Sequence, residues 1–351
     1  HRIFDIRKIY YEIGLTSRPA YEVMQHFVNN KNIGIVATRQ VATGDFYHVF
    51  ITDKIINRCY LSNKTRESNS VFPLYIYSSN GNTDANGNGY LFKEEEKKDN
   101  FTSEFRKFIK TKYKKTQSAN KKEVEKLKLQ IENNKKSIEN LNETIPLQTD
   151  GLIIKSLQNT IEELKTETEK FNSQLSELHS KSVETEYIPT PEQVLGYIYA
   201  ILHSPTYREK YAVFLKFDFP RIPFVENLTG FENLSGLGWQ LIQVHLLNET
   251  PQGEDYANIA VYTGEGNNEV EKPEYKENKL YINKKQYFDN IPKAVYEFKI
   301  GAYQVLYKYL KDRKGRTLTY DEIVNIENIS KALQFTISQM TRIDNETNDW
   351  I

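Results

Sequence analysis

Two stretches of the chain carry planar hydrogen-bonding side chains of the kind that bind base edges. One ends the β-rich run NIGIVATRQ and the other is the loop SNKTRES, and together they offer Arg39, Gln40, Asn63, Lys64 and Arg66. An arginine fork matches the acceptors of guanine, and Asn or Gln can bond two polar atoms of adenine. A loop of Asn, Lys and Thr is also an ordinary turn, so base contact is one of two interpretations.

Basic side chains that could hold phosphates are spread over both ends of the chain. Residues 1–118 carry 19 Lys or Arg against 12 Asp or Glu, a net charge of +7, although the whole chain is neutral. This asymmetry suits a polyanionic partner, but a helix at 104–115 with lysines facing water would give the same count. The candidates for phosphate contact are Arg7, Arg18, Lys284, Lys285, Lys311, Lys314 and Arg316. The last three share a predicted basic tip with Arg313.

Patterns that would indicate catalysis are scarce. The six histidines form no HxxxH or HExxH pair, and no GxSxG elbow, NPPY-type methylation motif or Gly-rich cofactor fingerprint occurs. Asp289, Glu297 and Lys299 could form the acid–acid–lysine set of a magnesium-dependent nuclease. The same acid–lysine spacing recurs at Glu95 and Lys97, so chance is the alternative. We therefore expect no catalytic residue, metal or cofactor in this chain.

Composition also indicates the cellular compartment. The single cysteine, Cys59, excludes an internal disulfide framework or a multi-cysteine zinc site, which favours a reducing cytosol. No stretch approaches the roughly 18 apolar residues of a membrane span. The first residues, HRIFDIRKIYY, resemble neither an initiator methionine nor a signal peptide, so we expect a piece of a longer cytoplasmic polypeptide.

The elements that would position these side chains fall into three segments, 1–118, 119–186 and 187–351. In the first, apolar residues at helical spacing after a proline predict a helix at 18–30. Apolar and β-branched runs predict strands at 33–40, 46–53 and 72–77. The Asn-Gly pairs of NGNTDANGNGY predict an exposed turn at 80–90.

The second segment has the strongest periodicity. Apolar residues recur at spacings of three and four along two stretches separated by IPLQTDG, which predicts an antiparallel coiled-coil hairpin. Asn134 and Thr168 fall on its seam, where polar residues can set the register. The hairpin could be a spacer without chemistry, a DNA clamp or a docking arm for another subunit.

The third segment is predicted to be mostly helical. Helices are expected on both sides of Ser204-Pro205, at 231–248, after a turn at Gly301, and from Tyr320 to about Arg342. Short strands are expected at 257–262, at 279–283 and just before Gly301. The first and third segments should pack together as one α+β module.

Several separate blocks carry a family resemblance because they occur in the same order as in that family. They are FDIRKIYY, RPAYEVMQHF, NIGIVATRQ, FYHVFITDKI, YLSNKT, VFPLYIY, YIYAILHSPTYREKYAVFLKFDFPRIPF, INKKQYFDNIP and FKIGAYQVLYKYLKDRKGR. They resemble the C-terminal specificity region of Type ISP restriction-modification enzymes. The family often reads FQIG where this chain has FKIG, which argues against the nuclease interpretation of Lys299, and the hairpin looks longer than the family's connection.

The resemblance implies a target recognition domain at the end of a prokaryotic polypeptide that also carries a nuclease, an ATPase and an adenine methyltransferase. S-adenosylmethionine, ATP and magnesium would then belong to the upstream parts, and this chain would contact double-stranded DNA, with its bases read from the major groove. The alternative from another class is a docking or scaffold module whose coiled coil binds a partner protein.

Overall fold

The computed structural model describes residues 3–9, 11, 20–28, 31–42, 44–78, 96–117, 121–180 and 183–351. They form two compact units. The first unit combines His1–Phe105 with Pro189–Ile351, and the second is Arg106–Ile188. The predicted Asn-Gly turn at 80–90 and Arg18 lie outside the described residues.

A three-stranded antiparallel sheet forms the N-terminal part of the first unit. Strand β1 (Gly34–Thr38) lies between β2 (Val49–Thr52) and β3 (Asn69–Pro73). Every residue of β1 and β2 is buried, as their continuous apolar runs indicate. The strand predicted at 72–77 is instead divided at Leu74 between β3 and β4 (Tyr75–Ser78), and β4 pairs with β5 (Glu96–Asp99).

The helix predicted at 18–30 is much shorter in the structure. Helix α1 covers Tyr21–Met24 and continues only as the 3-10 turn Gln25–Phe27. The side chain of Asn32 explains this end, because its Nδ2 donates to the carbonyl of His26 at 3.0 Å, which the next helical turn would otherwise use.

Helices dominate the remainder of the first unit. They are α5 (Pro191–His203), α6 (Pro205–Lys210), α7 (Leu228–His245), α8 (Glu254–Ala257), α9 (Lys293–Glu297), α10 (Val305–Lys311) and α11 (Tyr320–Thr347). The earlier helix α2 (Ser103–Lys112) falls mostly in the second unit. The break before Pro205 is where it was predicted: Ser204 ends α5 and its hydroxyl accepts from the N–H of Tyr207 to cap α6.

Helices α5 and α7 cross at two glycines. A Cβ on Gly238 would lie 1.8 Å from the carbonyl oxygen of Gly196, and a Cβ on Gly196 would lie 2.4 Å from that of Ser235. The two backbones therefore touch directly, which only glycine permits.

The third segment is less purely helical than predicted. It also holds a four-stranded antiparallel sheet in the order β8 (Val261–Thr263), β11 (Tyr287–Asp289), β10 (Lys279–Tyr281) and β9 (Glu274–Lys276). A hairpin of β12 (Lys299–Ile300) and β13 (Tyr303–Gln304) turns at Gly301 and leads into α10. The short strand expected just before Gly301 is β12, and the residues that precede it form α9.

One hydrophobic core joins the first and third segments. Val36 of β1 and Phe50 of β2 belong to the same buried cluster as Leu310 of α10 and Leu333 of α11. The predicted α+β class is confirmed, and the two sequence-distant segments share this core.

The second unit contains most of α2, a ladder of two short strands and two long helices between those strands in the chain. Helices α3 (Lys121–Thr144) and α4 (Gly151–Ser180) are joined through a 3-10 turn, and β6 (Lys114–Gln117) pairs antiparallel with β7 (Val183–Glu186). The unit is wider than the predicted 119–186 because this ladder and the bond from Tyr187 N–H to the Tyr113 carbonyl (3.1 Å) extend it. Of the two polar seam residues, Asn134 donates to Glu167 of α4 at 3.1 Å, and the hydroxyl of Thr168 donates to the Leu164 carbonyl at 2.7 Å.

Candidate nucleic-acid interface

The strand end and the loop singled out in the sequence lie at the same end of the three-stranded sheet. Thr38, the last residue of β1, pairs with Asn69, the first residue of β3. Arg39 and Gln40 therefore leave the sheet where the loop 62–68 enters it. The structure brings the five base-reading candidates into one neighbourhood.

A buried carboxylate ties these two loops together. Glu67 is fully buried, and it accepts hydrogen bonds from the Ala42 N–H (2.8 Å), the Ser62 hydroxyl (2.5 Å) and His48 Nε2 (3.2 Å). Burial alone would raise the pKa of Glu67, but these hydrogen bonds and the charge of Lys64 outweigh it and hold the pKa below its ordinary value. Glu67 is therefore a charged anchor between the two loops. The sequence did not indicate this role, because the polar loop around Glu67 is typical of an exposed turn.

The tautomer of His48 follows from the same contacts. A carboxylate can only accept, so Nε2 carries the proton, while Nδ1 has no hydrogen-bond partner among the described residues. Burial lowers the pKa of His48 despite the opposing charge of Glu67. The histidine is therefore neutral and acts as a donor to Glu67.

The five candidate base-reading side chains are exposed, although that of Lys64 reaches back to this anchor. Arg39 is 67% exposed and pairs with Asp218 through Nε at 2.9 Å. Lys64 Nζ lies 3.6 Å from Glu67 Oε1. Gln40, Asn63 and Arg66 are exposed, and no described residue forms a side-chain hydrogen bond or ion pair with them.

The hairpin of β12 and β13 holds the other side of the loop. The N–H of Gly301 donates to the Tyr47 carbonyl at 2.6 Å, and the N–H of Ala302 donates to the Leu61 carbonyl at 2.9 Å. Gly301 has φ of +59°, and a Cβ there would lie 2.0 Å from the Leu61 oxygen. Glycine is needed for both reasons, and the third segment thereby fixes a loop of the first.

The basic phosphate candidates form two groups. The turn with Lys284 and Lys285 follows β10, and the turn with Lys314 and Arg316 follows α10. Both bond to the segment 268–271: Asn283 donates to the Glu269 carbonyl at 3.0 Å, while Val270 exchanges backbone hydrogen bonds with Gly315 and Arg316. Lys284, Lys285, Lys311, Lys314 and Arg316 are all exposed.

Arg313 does not belong to an exposed basic tip. Its guanidinium is buried over the ring of Tyr309 and bonds Asp5 and Glu322 at 2.8 Å each. Arg7 pairs with the same Asp5 (2.8 Å) and Arg316 with the same Glu322 (3.2 Å). Arg7 and Arg316 are thus the half-exposed ends of a row of alternating charges, and Arg313 is its structural centre.

The residues of the nuclease interpretation are divided among other contacts. Asp289 pairs with Lys279 at 3.8 Å, and Glu297 pairs with Lys293 at 3.7 Å. Within the described ranges, no three His, Cys, Asp or Glu side chains gather as a metal ion would require. No helix in the same ranges is long and apolar enough to cross a membrane.

The family is decided by sequence. The profile of the Type ISP C-terminal specificity domain matches residues 1–342. The chain belongs to this family. The resemblance noted from the sequence blocks is therefore confirmed, while a comparison with curated proteins finds no match.

Solved structures share the fold of this Type ISP specificity domain. The ATP-dependent Type ISP restriction-modification enzyme LlaBIII bound to DNA matches with a TM-score of 0.52 and 15% identity, covering 90% of this chain and 16% of that one. A nuclease-deletion mutant of the Type ISP enzyme LlaGI with a DNA substrate mimic gives 0.53 and 14%, over 97% and 20%. The DrdV–DNA complex gives 0.55 and 17%, over 99% and 28%. The domain thus spans between 16% and 28% of these solved chains.

Proposed function

We propose that this specificity domain reads a short sequence in double-stranded DNA and itself carries out no chemistry. The two loops joined by Glu67 contact base edges, and the exposed basic turns hold phosphates. In a longer cytoplasmic polypeptide, the domain would direct an upstream adenine methyltransferase and nuclease to the bound site. S-adenosylmethionine, ATP and magnesium would serve those upstream parts.

The observation that carries this proposal is the anchoring of two donor-rich loops at one sheet end. Glu67 holds the loop with Arg39 and the loop with Arg66 from inside, so their outward side chains start from a fixed backbone. A fixed backbone lowers the ordering cost of binding and keeps donors at the spacing of base edges. The exposed ion pair of Arg39 with Asp218 is weak enough to exchange for a base.

The test is a selection of bound duplexes from a random pool, repeated with variants of a base-reading candidate and of a phosphate-binding candidate. The parent domain should enrich one short motif. Arg66→Ala should relax preference at one position, with a loss of roughly 1–3 kcal/mol of discrimination. Lys314→Ala should weaken binding to all duplexes alike and reduce the salt slope by about 1.

Two results would contradict the proposal. The first is a parent domain that enriches no motif over scrambled competitor. The second is an Arg66→Ala variant and an Arg39→Ala variant that both select the parent motif unchanged while remaining folded.

A further inference from the structure

Arg208 is a partly buried cation that lacks a carboxylate partner in the described part of the chain. It lies in α6, and its Nε donates to the carbonyl of Leu202 at 2.7 Å. No other hydrogen bond or ion pair of its side chain exists among the described residues, and its terminal nitrogens are not among the fully enclosed polar atoms. Both ends of the guanidinium fork therefore open to an accessible space.

Aromatic residues, one tyrosine and two histidines, lie near Arg208. The ring of Tyr47 lies 5.9 Å from the guanidinium carbon. His203 and His245 are kept neutral, first by burial and then by the charge of Arg208, which lowers the pKa of each. Burial lowers the pKa of Arg208 itself to about 10, so it still carries its charge at neutral pH. An unpaired cation in such a place is costly unless an anion joins it.

The accessible space is a cleft of about 640 Å³. Besides Arg208, its polar lining includes Lys299, which is exposed, with Tyr47, Tyr296, Gln304 and Glu297. The Gln304 amide is occupied by the Tyr296 carbonyl (2.7 Å), and the carboxylate of Glu297 lies 3.7 Å from Lys293. Arg208 and Lys299 are the cationic residues of this lining, and an arginine fork with a lysine is the pair best suited to a phosphate.

The hairpin of β12 and β13 connects the cleft with the candidate interface. Lys299 begins the hairpin whose Gly301 and Ala302 bond to Tyr47 and Leu61, so one short element lines the cleft and holds the loop 62–68. We propose that Arg208 and Lys299 bind a phosphate group in this cleft, and, on the basis of the proposed function, that this group belongs to the DNA backbone beside the bases read by that loop.

The experiment compares the parent with Arg208→Gln and Lys299→Gln, and with the control Lys276→Gln. Lys276 is an exposed lysine on β9 that does not line the cleft. Duplex binding is measured across a salt series. Each cleft variant should raise the dissociation constant about tenfold and lower the salt slope by about 0.9, whereas the control should behave as the parent.

A second measurement tests whether the cleft binds phosphate at all, independently of whether that phosphate belongs to DNA. Inorganic phosphate should raise the melting temperature of the parent more than chloride at equal ionic strength, and Arg208→Gln should abolish that difference. A parent that binds no duplex but shows this phosphate effect would refute the proposed function and keep the cleft as a site for a free phosphate compound.

Other outcomes overturn the inference. Cleft variants that bind duplex with the parent's affinity and salt slope would refute the phosphate site but leave the proposed function standing. A parent without any phosphate-specific stabilisation, whose variants also bind duplex normally, would likewise refute the phosphate site. Should Arg208→Gln fail to fold, the exposed Lys299→Gln decides by the same two criteria.

Discussion

Replacing Glu67 by alanine should loosen both candidate base-reading loops at once. The change removes the acceptor for the Ser62 hydroxyl and for His48 Nε2, which are both buried. Each buried donor left without a partner costs about 1–3 kcal/mol, so we expect the free energy of unfolding to fall by about 3 kcal/mol. Glu67→Gln keeps one acceptor oxygen and should lose about 1 kcal/mol.

Urea unfolding of the whole chain at neutral pH measures this loss. The matched control is Glu232→Ala, an exposed glutamate of α7, which should change stability by less than about 0.5 kcal/mol. The pKa of Glu67 is lowered in the folded state, so its charge stabilises the fold above the unfolded pKa and loses this effect as pH falls through the folded pKa. The difference between parent and Glu67→Ala should therefore shrink in acid.

The same variant connects stability with recognition. With the anchor gone, the motif selected from a random pool should become degenerate at more positions than in Arg66→Ala, because both loops lose their fixed backbone. A loss of stability under about 1 kcal/mol, or a selected motif identical to that of the parent, would refute this reasoning about Glu67.

Three further predictions concern the scaffold. His245 is neutral in the fold, with its pKa lowered to about 3, so the unfolded chain binds more protons below pH 6.5. The contribution of this residue should therefore lower the free energy of unfolding by about 2 kcal/mol at pH 5 relative to pH 7. A urea midpoint that does not change with pH would contradict this prediction. Replacing residues 121–180 by a short Gly/Ser turn should leave a remainder that melts cooperatively and binds duplex, whereas loss of binding in a folded remainder would favour the hairpin as the working part. Gly238→Ala should destabilise by about 3 kcal/mol because its methyl would meet the Gly196 carbonyl, while Gly236→Ala, with open space around it, should stabilise by up to about 1 kcal/mol in the same denaturation assay.

Elements with a strong local signal could be predicted from the sequence. The buried strands β1 and β2 follow from continuous apolar runs, and the break before Pro205 follows from proline chemistry. Strands β9 and β11 were missed because they are three residues long and carry charged or half-buried side chains, so their pairing depends on neighbours distant in sequence.

Only the exposed residues of the candidate site could be predicted from the sequence. Residue type alone indicates that Arg39 and Arg66 could meet bases, because exposure and donor chemistry are local properties. The burial of Glu67 and Arg313, and the open guanidinium of Arg208, depend on which side chains the fold places around them. Charge patterns do not distinguish a solvated ion from a buried one, which is why Arg313 was grouped with its exposed neighbours.

The backbone contact between α5 and α7 has a consequence for how a duplex would be accommodated. Helix α5 leads directly to α6 and Arg208, and α7 ends at His245, whose ring stacks on Phe50 of β2 at 4.9 Å. With no side-chain layer at the crossing, these helices cannot slide to adjust the spacing between cleft and sheet. A duplex bound to the cleft and to the sheet end would have to adjust its own twist or groove width to fit their fixed spacing. The flexibility of base steps that the protein does not contact would then contribute to the sequence it selects.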